Sequence, residues 1–155
     1  MTAPLVHNTL TELATFQVGE ALCGMEINHI QEIILLPEFT RVPQAPTDVL
    51  GILNLRGQIV TVIDLARRMG LGTTVPTDQA RVIIVNTAGG KAGILVHRIS
   101  DVVSVHLKEA EPAPANLRGI QGRYLTGVCK QEKELIGLLH LNRVFGHEEG
   151  NEPKD

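Results

Sequence analysis

LGILNLRGQIVTVIDLARR, residues 50–68, decides how this chain is read. Two apolar runs, dominated by Ile, Leu and Val, meet at a short polar turn, Asn54-Leu55-Arg56-Gly57. That pattern is a β-hairpin rather than a helix, because β-branched residues suit a pleated surface and the turn residues stand between the two runs. Gly57 suits the tip, where the backbone often takes a positive φ that a Cβ would oppose. Turn geometry gives no comparable reason for Arg56.

The rest of the chain has the same texture. In 155 residues there are no Trp, one Tyr and three Phe, so the 43% that is hydrophobic must build an aliphatic core. A chain of this length can bury roughly two-thirds of its unfolded surface as one domain. Strands are expected at 11–18, 21–28, 30–36, 50–55 and 58–63, and again at 81–87, 91–98, 101–107, 124–130 and 134–140. Short helices are expected at 64–69, with Asp64 as N-cap, and at 142–145, led by Asn142.

The two series are similar in detail. A shift of 69 residues places Gly24 on Gly93, Ile30 on Ile99 and Glu32 on Asp101; a shift of 76 places Gly51 on Gly127, Leu53 on Cys129 and Val60 on Ile136. The difference is one insertion, expected in the second of two Pro-rich loops, RVPQAPTD from Arg41 and EAEPAPAN from Glu109. This is the pattern of a structural duplication, predicting two five-stranded barrels. Under it Arg56-Gly57 falls on Glu132-Lys133, so the turn does not demand arginine.

Several function classes are poorly served. A net charge of −3 with scattered basic residues and few aromatics does not suit nucleic acid. No phosphate-binding loop or nucleophile elbow occurs, and Gly89-Gly90-Lys91-Ala92-Gly93 reads as a hairpin turn. The six histidines and two cysteines lack metal-ligand spacing, so no metal, cofactor or catalytic residue is expected. Cys23 and Cys129 each sit in an apolar run and read as a reduced, buried pair, although sequence leaves their redox state open. No apolar stretch is long enough to span a bilayer, so a cytoplasmic protein without direct membrane insertion is expected.

What remains is surface for partners. Glu32 interrupts the apolar run from Ile30 and Ile33, either solvated at a strand edge or matched to a cation. Arg56 is the candidate match, because its guanidinium fork can hold a carboxylate and still present donors outward. A solvated arginine and an edge glutamate are the plainer alternative.

IQEI at 30–33, GILNLRGQIVTVIDL at 51–65 and GILVHRISDVVSV at 93–105, in that order, resemble the CheW family of bacterial chemotaxis adaptors. The resemblance covers about 12–146. It implies a mainly β fold of two SH3-like five-stranded barrel subdomains with short helices, enclosing a hydrophobic groove, and no enzymatic activity. It further implies a chemotaxis signal-transduction adaptor, cytoplasmic and recruited to membrane-associated receptor arrays. Its partners would be the cytoplasmic tip of chemoreceptors (methyl-accepting chemotaxis proteins) and the regulatory domain of the histidine kinase CheA. Arg56 and Glu32 would mark the coupling surface, flanked by Asn54 and Gly57, with Ile30, Ile33, Val96 and Ile99 lining the groove. Thr61 stands where the family often has proline, and Cys23-Gly24-Met25 replaces a segment that more often carries an aromatic.

One domain is therefore expected over 12–146, with subdomains near 30–80 and 81–146, residues 12–29 joining either, and flexible tails at 1–11 and 147–155. The alternative reading is a small two-barrel module for a ligand or nucleic acid.

Overall fold

The expected strands form with small shifts at their ends. In the computed structural model, which describes residues 10–146, they are β1 (Thr11–Val18), β2 (Ala21–Glu26), β3 (Ile30–Leu35), β4 (Val49–Leu55), β5 (Gln58–Asp64), β6 (Arg81–Thr87), β7 (Gly90–Val96) and β8 (Arg98–Val105). A two-residue pair, β9 (Asn116–Leu117) and β10 (Ile120–Gln121), precedes β11 (Leu125–Gln131) and β12 (Glu134–Leu139). Helices α1 (Leu65–Arg68) and α2 (Leu141–Val144) are single turns. Most of the two expected tails lies outside the described residues, while Thr11 already opens β1.

The strands form two five-stranded sheets, ordered β11-β12-β2-β1-β8 and β3-β6-β7-β5-β4. The fold is mainly β, as expected, but the ladders do not close into barrels. Each sheet curls until the segment beyond one edge meets the opposite edge at a single antiparallel bridge, Thr40 with Ile52 in one and Glu111 with Val128 in the other. At the first bridge both N–H···O distances are 2.8 Å.

The duplication is visible in the registers. β5 runs parallel to β7 with Thr61 opposite Ala92, and β12 runs parallel to β2 with Gly137 opposite Cys23, the positions that shifts of 76 and 69 make equivalent. Bulges recur too, between Val49 and Gly51 in β4 and between Leu125 and Gly127 in β11. The expected subdomain limit at 80/81 is corrected by the strand order. β6 and β7 belong with β3, β4 and β5, whereas β8, β11 and β12 take in β1 and β2. Each repeat thus gives its first hairpin to the other repeat's sheet. The chain crosses between sheets at the 3-10 turn Ile27–His29 and at His97.

Strand alternation explains the core. On β6, Val82 and Ile84 point into their own sheet's interior, with Leu53, Val60, Val62 and Leu95. Ile83 and Val85 face the other way, into a larger cluster that joins the sheets through Phe16, Cys23, Ile63, Ile94 and Leu139. Strands buried on both faces read as unbroken apolar runs, which is why VIIV carries no polar alternation. Leu13, Val105, Cys129, Ile136 and Leu138 fill the first sheet's interior. Both cysteines are free and buried.

The helix starts differ from expectation. Asp64 makes no cap hydrogen bond. It is fully buried, and its carboxylate accepts instead from Thr74, backbone N–H at 2.9 Å and hydroxyl at 2.6 Å. A hydroxyl and an amide ten residues on satisfy the carboxylate better than the start of a four-residue helix. At α2 the cap is His140 rather than Asn142: its Nδ1 accepts from the N–H of Arg143.

Candidate functional site

The turn at the centre of the opening stretch has Arg56 at φ 52° and Gly57 at φ 87°. Two successive left-handed residues make the two-residue turn whose twist matches a β-hairpin. Asn54 helps to hold it, its side-chain oxygen accepting from the N–H of Gly57 at 2.7 Å. Glu132, the repeat equivalent of Arg56, has the same φ of 52°, so the backbone conformation belongs to the fold and the guanidinium does not.

That guanidinium crosses a gap. β3 and β4 are opposite edges of the second sheet, yet Arg56, beyond the end of β4, donates to the carboxylate of Glu32 on β3. A bulge between Ile30 and Glu32 interrupts the pairing of β3 with β6 beside this carboxylate. Together with the Thr40–Ile52 bridge, the ion pair spans the seam of the curled sheet. The arginine side chain is 66% exposed and the glutamate 26%. The hydrogen bond to Glu32, and then its charge, raise the pKa of Arg56 above the ordinary arginine value.

Exposed apolar side chains occur on the strands on either side of the seam. Ile33 is 39% exposed and Ile59, on β5, 62%. Sequence does not single out Ile59, which continues an apolar run; in β5 it takes the outward position immediately before the buried Val60. A cleft of about 350 Å³ opens at the same seam, lined by Phe39, Thr40, Ile52, Asn54 and Ile59.

The expected groove residues are not together. Val96 is fully buried in the cluster between the sheets and cannot line an open groove. Its strand, β7, has a neighbour on both sides and apolar packing above and below, which leaves no face for a ligand. Ile30 and Ile99, equivalent under the repeat, are half-buried against that same cluster. Of the four, only Ile33 is exposed, next to Glu32 in β3 but on the strand's other face. The open cleft between the sheets, about 370 Å³, is lined instead by His29, Asn86, Thr87, Thr126, His140 and Leu141 among others. These come from turns and strand ends, where sequence has no periodic signal.

Among the described residues no group of three or more His, Cys, Asp or Glu could hold a metal ion. Burial pushes the thiol of Cys23 up to about 12, and raises that of Cys129 as well, so both are poor nucleophiles. No helix among the described residues is long and apolar enough to cross a membrane.

Comparison with known proteins agrees with the fold and with the motifs. A crystal structure of the scaffolding protein TtCheW from Thermoanaerobacter tengcongensis superposes with a TM-score of 0.83 at 30% identity, covering 92% of this chain and 94% of that one. The chemotaxis protein CheW of Treponema pallidum is 32% identical over 148 residues, 93% of this chain and 87% of that protein. That of Bacillus subtilis is 30% identical over 148 residues, 96% of this chain and 94% of its own length. The family model described as CheW-like domain matches residues 12–149, and with two repeated five-stranded sheets and the N-L-R-G turn in place, this chain belongs to the CheW family.

Proposed function

We propose that this chain is a non-enzymatic chemotaxis adaptor that couples the cytoplasmic tip of chemoreceptors to the regulatory domain of the histidine kinase CheA. It would work in the cytoplasm, at membrane-associated receptor arrays. The observation that carries this reading is the exposed Arg56–Glu32 pair standing across a sheet seam, with exposed isoleucines on β3 and β5. An interface needs an apolar centre and a polar border, and that surface supplies both.

Each residue has a distinct part. Ile33 and Ile59 offer apolar area to the partner. Glu32 neutralises Arg56 on one side and aims its fork, leaving further N–H groups for an acceptor on the partner. Asn54 and Gly57 hold the turn and thereby the direction of Arg56. Ile30 and Ile99, half-buried against the cluster between the sheets, help to fix how the sheets pack. Individual contacts of this kind are weak, and many copies in one array supply the avidity.

The test is charge reversal. Arg56→Glu should leave the urea midpoint nearly unchanged, since the side chain is solvated, but lower co-sedimentation with receptor fragments and CheA by about tenfold or more. Wild-type assembly by the folded Arg56→Glu protein would overturn the assignment. Salt-sensitive binding to an oligonucleotide would favour the alternative of a nucleic-acid module.

A further inference from the structure

The two single-turn helices are equivalent under the 76-residue shift, LARR in α1 against LNRV in α2, which sets Arg68 on Val144 and, upstream, Asp48 on Tyr124. Both repeats build the backbone of this corner alike. The N–H of Asp64 donates to the backbone oxygen of Asp48 and that of His140 to the backbone oxygen of Tyr124, each at 2.8 Å. The side chains differ. Where the second repeat has Tyr124 and Val144, both buried, the first has an ion pair of Arg68 with Asp48, the side chains 22% and 18% exposed. The corner itself therefore does not require charge.

Stability is a poor explanation for the pair. Taking two charges out of water costs about as much as their attraction returns, and well-packed apolar residues often serve as well or better. Nor does the position at the end of α1 explain it, since a single turn sums very few peptide dipoles.

What the arginine adds is a reach between the sheets. Its Nε donates to the carboxylate of Asp48, which stands just before β4, and its Nη1 to the backbone oxygen of Val144 in α2. That oxygen belongs to the last turn of a helix, where carbonyls have no partner within the helix. Asp48 and α1 flank strands β4 and β5 of the second sheet, whereas α2 follows β12 of the first. The single turn of α2 is closed by bonds from Val144 N–H to His140 and from Phe145 N–H to Leu141, both 3.0 Å. Its opposite end, His140 and Leu141, lines the cleft between the sheets together with Asn86 and Thr87 of β6. One turn of helix thus connects the arginine to the cleft.

We propose that Arg68 is a positioning residue that clamps α2 to the Asp48 corner, fixes the first sheet against the second and so sets the cleft between them. The planar fork suits this task, because it offers donors in fixed directions to two partners at once, whereas a lysine ammonium is one point on a flexible stem. Any effect on partners held across the two sheets rests on the adaptor reading. The clamp does not, and its test needs no partner.

The experiment compares the full chain with two full-length variants. Arg68→Met with Asp48→Asn removes both charges, so that no buried carboxylate is left alone, and Arg68→Lys keeps the ion pair without the fork. Residual dipolar couplings give the orientation of one sheet relative to the other, and hydrogen exchange reports on α2, with the amides of β6 as the control for folding. In both variants the amides of Val144 and Phe145 should exchange at least about tenfold faster, the loss expected of a hydrogen bond from a charged donor. The couplings within each sheet should still fit one rigid body while the orientation between the sheets departs from that of the parent chain. An unchanged orientation, unchanged protection of α2, or full restoration of both by Arg68→Lys would overturn the proposal. So would unfolding of the double variant with Arg68→Lys unperturbed, which would make the pair a stabilising contact only.

Discussion

Gly51→Ala should open the seam that Arg56 and Glu32 span at its other end. A Cβ at position 51 would lie 2.4 Å from the backbone oxygen of Thr40 and 2.8 Å from Cδ1 of Phe39, whereas ordinary contact begins at 3.4 Å. The Thr40 oxygen would have to retreat by about 1 Å, taking its 2.8 Å hydrogen bond from Ile52 well beyond bonding distance. The reciprocal bond from Thr40 to Ile52 would go with it. Two hydrogen bonds at about 1 kcal/mol each, and about 1 kcal/mol more for apolar surface uncovered at the half-buried Phe39, give a loss of about 3 kcal/mol. For a domain of this size that is about 6–12 °C in Tm. Urea denaturation supplies the free energy, and hydrogen exchange at the amides of Thr40 and Ile52 locates it. Gly57→Ala is the matched control: nothing lies within 4 Å of its Cβ, so only the left-handed φ of 87° opposes the change, at about 1–2 kcal/mol. Should Gly51→Ala cost no more than Gly57→Ala, or leave the Thr40 and Ile52 amides as protected as before, the seam contributes nothing and the reasoning fails. At the repeat-equivalent site, Gly127→Ala meets Glu111 oxygen at 2.7 Å without an aromatic beside it, and should cost somewhat less.

Other substitutions probe the core and the polar contacts. Ile30→Asp places a carboxylate against the cluster between the sheets, and should lower stability by about 2–3 kcal/mol as well as weakening partner binding, both read after correcting for the folded fraction. Cys23 bears on pH dependence: its folded-state thiol titrates near 12 against 9.0 in the unfolded chain. The unfolded state therefore loses its proton first, and stability present below pH 9 declines towards pH 12 by up to about 1.4 kcal/mol per unit. Cys23→Ala should be less stable at neutral pH but show a shallower decline, and parallel urea-midpoint curves for the two proteins would refute the linkage. Thr74→Val removes the hydroxyl that satisfies the buried Asp64 carboxylate, with an expected loss of about 2–3 kcal/mol in urea unfolding; a change below about 0.5 kcal/mol would show that the carboxylate does not need it.

Local chemistry was legible in the sequence and partner choice between strands was not. β1 and β6 begin and end where read, because turn residues punctuate them and neither needs distant information. The exchange of hairpins left no such mark. β2 lies parallel to β12 across more than a hundred residues of chain, and a strand buried on both faces shows no alternation that would name its neighbour. Val96 is illegible for the same reason, since an apolar residue beneath a groove and one sealed between two sheets look alike in one dimension. Asp64 matched the residue type and position of an N-cap, and only the fold brings Thr74 to it. The ion pair of Arg56 and Glu32 could be read because each residue breaks its own local pattern. The exposed isoleucine of β5, Ile59, merely continues an apolar run.

The traded hairpins also order events during synthesis. Strands β3 to β7 are contiguous, so the second sheet can assemble once Val96 has cleared the ribosome. The hairpin of β1 and β2 is made first yet cannot settle, because its neighbours β8 and β12 end at Val105 and Leu139. At about 5–20 residues per second it waits several seconds with both strand edges unpaired and Phe16, Cys23 and Met25 uncovered. The hairpin made before its partners is thus in need of a holding chaperone, and slow codons between β7 and β12 would lengthen its exposure.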